Sequence, residues 1–220
     1  CQPQEQCMSY YRDQYSPQYT HFSGSRITWA VQRLIALNAL VYAAQLLVGI
    51  RFGHFPVSGG IVVEWLSFMP SRFLGGHLYQ VFTYQFLHSG LMHLFFNMLC
   101  LYFFGPDVER LVGSRRFYVF YLACGALGVL ATYVPYFLLG SNPVVAGASG
   151  SVMGILVAFA VVDPERQFYL FPLPFPMNAR ALVLVFIVIQ VIYALDPNKC
   201  VSVATHFGGM ATGYVLIKLL

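Results

Sequence analysis

The sequence predicts an all-α polytopic membrane protein: a bundle of six apolar helices with an interfacial loop between the first and second. Three observations carry the prediction. Only 9% of the 220 residues are charged and 58% are hydrophobic, against roughly 25% charged in a soluble globular domain. Mean hydropathy is +0.66, more apolar surface than a water-soluble fold of this size can bury. Apolar stretches also recur near membrane-crossing length, separated by Gly, Pro and charged residues.

Residues 1–25 are polar and rich in Tyr and Gln. They predict a weakly ordered N-terminal tail and do not resemble a signal peptide. A membrane domain is expected over residues 26–220. Its first span, Ile27 to Ile50, is opened by Arg26 and carries Arg33, which places Arg33 near one interface. About 20 residues cross the hydrocarbon core. Residues 51–88 hold Gly59-Gly60, Trp65, Pro70 and Gly75-Gly76 among several aromatics. That mixture is too apolar for a solvated linker and predicts a structure lying against the bilayer edge.

The second span is expected from about Leu91 to Phe104, ending near Gly105-Pro106 with Asp107, Glu109 and Arg110 beyond. The third runs from about Phe117 to Leu139 and is broken by Gly140-Ser141-Asn142-Pro143. The fourth starts at Ser149 and ends before Asp163-Pro164. Its 14 or so residues cover about 21 Å, too little for a full crossing, so its start must be sunk within the membrane. Irregular backbone at that depth has to line protein or a wet cavity. The Pro-rich run 171–176 predicts a rigid connector. The fifth span (about Arg180 to Leu195), a turn at Asp196–Lys199 and the sixth span (about Val203 to Leu219) complete the chain.

Charge fixes an expected orientation. With a cytoplasmic N-terminus, Arg12, Arg26, Arg33, Arg110, Arg115, Arg116, Arg166, Arg180 and Lys218 fall on the cytoplasmic side, leaving Arg51, Arg72 and Lys199 outside. Nine against three favours both termini inside. The net charge of +4 is spread over short loops and forms no patch that nucleic acid would need. Of the five cysteines, Cys100 and Cys124 lie in apolar spans and read as small hydrophobes. None has metal-ligand spacing, and no metal or cofactor is expected.

In this topology the second, fourth and sixth spans all start on the outer side, and their polar residues cluster there. His93 and Asn97 lie four apart on one face of the second helix. Ser149 opens the fourth, in the run Ala146-Gly147-Ala148-Ser149-Gly150-Ser151-Val152-Met153-Gly154. His206 opens the sixth. Gly150 and Gly154, and Gly209 and Gly213, repeat at four-residue spacing, which gives flat faces for close helix contact. Direct packing of the fourth and sixth helices would bring Ser149 to His206. A histidine in reach of a serine hydroxyl can take its proton and return it to a leaving amine. An oxyanion would need preorganised donors, available from the Ser149 N–H, Asn97 and His93. Activity would rise with pH as His206 loses its proton. His88 is expected to be structural, bonding a loop backbone group. A lone Ser in a Gly/Ala turn is more often packing, and a lone intramembrane His can be a proton relay. The constellation weighs against both.

These residues resemble the rhomboid intramembrane serine proteases. The pattern of His, three residues and Asn appears as His93-Leu94-Phe95-Phe96-Asn97. Gly-x-Ser-Gly appears as Gly147-Ala148-Ser149-Gly150, and the last-helix histidine with following glycines as His206-Phe207-Gly208-Gly209 with Gly213. The resemblance covers roughly residues 27–219 and implies the six-helix rhomboid-like core. It implies Ser149 as nucleophile, His206 as base, and His93, Asn97 and the Ser149 N–H as oxyanion hole. It also implies single-pass membrane proteins in the bilayer as substrates, with the fifth helix and the cap loop at Pro197 to Ser202 as a mobile entrance. A bacterial inner membrane is the expected location, with the site opening outward; oligomeric state is left open. Two positions depart from the pattern: Tyr79-Gln80 stands where many members have Trp-Arg, and Met153 where many bacterial members have Tyr. A catalytically silent client binder and a small transporter are the competing classes. A transporter would show paired broken spans, and a silent binder has no need of both Ser149 and His206.

Overall fold

The computed structural model describes residues 27–52, 61–168, 176–195 and 200–220, with backbone only at Arg51, Phe52, Ile61 and 200–202. The polar tail, Gly59-Gly60, most of the Pro-rich run and the Asp196–Lys199 turn lie outside the described residues. The protein is an integral membrane protein built mainly of helices. Among the described residues, three helical stretches are apolar and long enough to cross a membrane: Trp29–Ile50, Leu91–Val112 and Ser114–Leu139.

Helix α1 spans Trp29–Phe52. Its first N–H groups are received by a carboxylate from elsewhere: Ala30 and Val31 each donate to Glu109 at 3.0 Å, and the Thr28 hydroxyl donates to it at 2.5 Å. A negative group at a helix N-terminus satisfies orphan donors and opposes the helix dipole. Three short helices follow, α2 (Ile61–Leu66), α3 (Pro70–Leu74) and α4 (Gln80–Thr83), then a 3₁₀ turn at Tyr84–Phe86. Gln80, one of the two residues in the departing pair, is fully buried here. Its amide receives the Met69 N–H and donates to the Trp65 carbonyl. The Tyr79 hydroxyl reaches the same carbonyl.

Helix α5 (Leu91–Val112) corrects one expectation. It does not stop near Gly105-Pro106 but runs on to Gly113. A proline removes a single ladder donor, so it can sit within a helix that is held by packing. Gly105 supplies that packing: a Cβ there would lie 2.7 Å from Val31 Cγ2 and 3.4 Å from Phe117. The Gly-Pro pair lets α1 approach, and the helix end falls instead at Gly113, whose N–H closes on the Glu109 carbonyl.

Helix α6 (Ser114–Leu130) and helix α7 (Tyr133–Leu139) are joined by a turn at Ala131-Thr132. Helix α8 (Ser149–Val162) is uncharged and apolar on every side, the pattern of a helix enclosed by others. Gly150 to Ala160 is buried without a break. A two-residue antiparallel ladder, β1 (Gln167–Phe168) with β2 (Met177–Asn178), leads into α9 (Ala179–Ala194). Asn178 caps that helix by accepting from the Ala181 N–H. Helix α10 (Cys200–Leu219) closes the bundle against α8 and α6. The far ends of α5, α8 and α9 are laced by ion pairs, Arg166 to both Asp107 (2.6 Å) and Asp163 (2.8 Å), and Arg180 to Glu165 (3.0 Å).

Candidate active site

The irregular stretch before α8 is fixed from both sides, which is how a helix can start below the surface. Asn142 bonds Ser71, its carbonyl receiving the Ser71 N–H and its NH₂ donating to the hydroxyl. Phe68 and Val145 exchange a pair of backbone bonds at 2.9 Å. The Gly147 N–H donates to the Tyr84 carbonyl. Tyr84 is itself held by its hydroxyl, which donates to the Gly125 carbonyl at 2.7 Å. Burial raises that phenol well above its ordinary range, keeping it a donor. The interfacial loop therefore satisfies the buried polar backbone leading to Ser149.

Ser149 and His206 meet at the start of α8. Ser149 Oγ lies 2.7 Å from His206 Nε2. Both line a cavity of about 280 Å³, together with His93, His88, Ser89, Gln45 and Thr205. The backbones behind them are nearly in contact. A methyl on Gly209 would overlap the Gly150 carbonyl, and one on Gly213 would fall 2.7 Å from the Gly154 carbonyl carbon. On the other side of α10, a Cβ at Gly128 would lie 2.8 Å from the Gly209 nitrogen. Small residues on three helices set the register that aligns serine and histidine.

His206 Nδ1 is buried and has no hydrogen-bond partner among the described residues. Among the described residues the imidazole pairs with the serine alone, and no carboxylate stands behind it. His93 stands on the other side of the serine turn. Its Nδ1 contacts the Ser89 hydroxyl at 3.1 Å. A Cβ on Gly147 would lie 2.6 Å from His93 Cε1, and Gly147 has φ +134°. Only glycine satisfies both conditions. Asn97 is buried, but its amide donates to the His93 carbonyl at 3.0 Å, and it does not line the cavity. Met153 is buried in the core of α8.

The His88 backbone also ties the loop to α1: the N–H donates to Gln45 Oε1 at 3.0 Å and the carbonyl receives Gln45 Nε2 at 3.3 Å. The ring is buried beside the Phe86 backbone and sits 5.2 Å from that of His93. Burial pushes the His88 imidazole down to about 4, the neighbouring His93 adding to the shift. Sequence reasoning missed Gln45. A glutamine within an apolar span was the available signal, since such polar groups are costly unless they hold something.

The fold and site define a helical membrane protein with a serine–histidine pair lining a partly open cavity. The rhomboid domain family matches residues 75–220. Among similar proteins are YdcA of Bacillus subtilis (strain 168), 27% identical over 84% of this chain and 90% of that one, and the rhomboid protease GluP of the same organism, 32% identical over 63% of this chain and 25% of that one. The rhomboid protease GlpG of Salmonella choleraesuis (strain SC-B67) is 31% identical over 66% of this chain and 47% of its own length. The chain thus spans nearly all of the first relative but half or less of the other two. It belongs to the rhomboid family, a class of serine intramembrane proteases.

Proposed function

We propose that this protein is an endopeptidase that cleaves single-pass membrane proteins with a Ser149–His206 dyad. The carrying observation is the 2.7 Å separation of Ser149 Oγ and His206 Nε2. A serine hydroxyl is a weak nucleophile at neutral pH, and a neutral imidazole at this distance can take its proton as the oxygen attacks a peptide carbonyl. The imidazolium then protonates the leaving amine, and water repeats the cycle on the acyl-enzyme. For the oxyanion we assign the Ser149 N–H, in a first helical turn that has no intrahelical acceptors, with His93 across the turn. Asn97 is the third assigned donor. Its NH₂ carries a second hydrogen beyond the one given to the His93 carbonyl.

In this reading the chain crosses the membrane six times, both termini are cytoplasmic and the cavity opens outward. Substrate approaches past α9, which buries only Ala179, Leu182 and Gln190 among its described residues and exposes Leu184, Val188 and Ile192. The test is reaction with a serine-directed fluorophosphonate. Labelling of the intact protein, lost in both Ser149→Ala and His206→Ala, is the expected result. A folded protein that does not label would overturn the reading.

A further inference from the structure

We propose that the groove between α8, α9 and α10 binds one acidic glycerophospholipid, an acyl chain in the groove and the phosphate at its basic mouth. This does not depend on the protease reading. The groove has a volume of about 690 Å³ and is walled by apolar side chains, among them Val161, Ile187, Phe207 and Met210. It exists because α9 packs loosely and because Ala160 and Ala211 leave space on the facing helices. From Phe207 to Lys218 it extends about 16 Å along α10, roughly half of a hydrocarbon core. That length suits an acyl chain.

Charge at one end selects the headgroup. Arg180 and Lys218 both line the groove where α9 begins and α10 ends, the end opposite Ser149. Arg180 gives one of its five N–H donors to Glu165 at 3.0 Å, in a pair more than half exposed. Lys218 Nζ lies 6.0 Å from the centre of the Tyr214 ring and forms no ion pair among the described residues. Long basic side chains lay their stems on apolar surface and present the charge at the headgroup level. Two cations against one carboxylate leave a net positive mouth. A phosphatidylglycerol phosphate complements it, whereas a phosphatidylcholine headgroup brings its own ammonium.

The test uses the full chain purified in neutral detergent, offered phosphatidylglycerol or phosphatidylcholine, with bound lipid counted by native mass spectrometry and unfolding temperature measured alongside. One tightly held phosphatidylglycerol is expected, favoured over phosphatidylcholine by about five-fold for each cation. Arg180→Gln with Lys218→Gln should remove the preference, and Ala211→Trp should reduce binding of both lipids. Glu165→Gln frees Arg180 and should strengthen the preference, whereas loss of a merely structural ion pair would only destabilise. Equal binding of the two lipids, a preference that survives the double substitution, or a weaker preference in Glu165→Gln would each overturn the proposal. So would a lipid-free dimer that covers this face.

Discussion

Gly209 on α10 faces the carbonyl of Gly150 on α8 with no room for a single methyl between them. One residue from Gly150 stands Ser149, and three from Gly209 stands His206, so this backbone contact sets the distance across which the serine and histidine bond. A displacement of the helices by less than the thickness of a methyl group would break that bond.

Gly209→Ala is therefore expected to cost about 1–3 kcal/mol by overpacking and to abolish fluorophosphonate labelling in whatever fraction still folds. Gly90→Ala, where nothing lies within 4 Å of the added carbon, is the control. It should label like the parent and change the unfolding free energy by less than about 1 kcal/mol.

Gly147→Ala separates site geometry from stability in another way. The new Cβ would meet His93 Cε1 at 2.6 Å on a backbone with φ +134°. Strain of about 1–3 kcal/mol is expected, with the His93 ring displaced from the serine turn. Peptide-bond turnover should fall by at least ten-fold while helical content by circular dichroism is unchanged.

Glu109 joins three helices by receiving the Thr28 hydroxyl, the Ala30 and Val31 N–H groups and the Ser114 hydroxyl. Glu109→Gln replaces one acceptor oxygen with an NH₂ that faces donors. A loss of about 2–4 kcal/mol is expected, measured by unfolding in mixed detergent. An unchanged stability would mean that the cap contributes nothing.

Acid should destabilise the fold through His88. Its folded value of about 4 lies below the unfolded value of about 6.5, so the unfolded chain binds the extra proton. The stabilisation is complete above pH 6.5 and is lost as pH falls toward 4, by up to about 3 kcal/mol. In His88→Phe that part of the pH dependence should disappear from the unfolding curves. A slope identical to the parent's would remove His88 from the account.

Gln80→Ala tests the departure from Trp-Arg in the interfacial loop. It removes the bonds to the Met69 N–H and the Trp65 carbonyl at a fully buried position. About 2–3 kcal/mol of stability should be lost. The loop opens first, seen as faster proteolysis near residues 61–75.

The sequence by itself determined the membrane class, because 9% charge over 220 residues leaves no other solvent for the apolar surface. It also singled out Ser149, His206, His93 and the glycine pairs, because a polar or small residue in an apolar span is conspicuous whatever surrounds it. Local signals were weaker guides to helix ends. Gly105-Pro106 reads as a stop, yet the Val31 and Phe117 contacts carry α5 through it, and packing outweighs one missing hydrogen bond. The partners of polar side chains were decided only by tertiary structure. The Asn97 amide turned to its own helix, and Gln45 took over the His88 backbone from a span that looked merely apolar. Such choices depend on which groups from distant segments arrive within about 3 Å. That distance is set by helix packing across the bundle, which residue spacing along the chain does not encode.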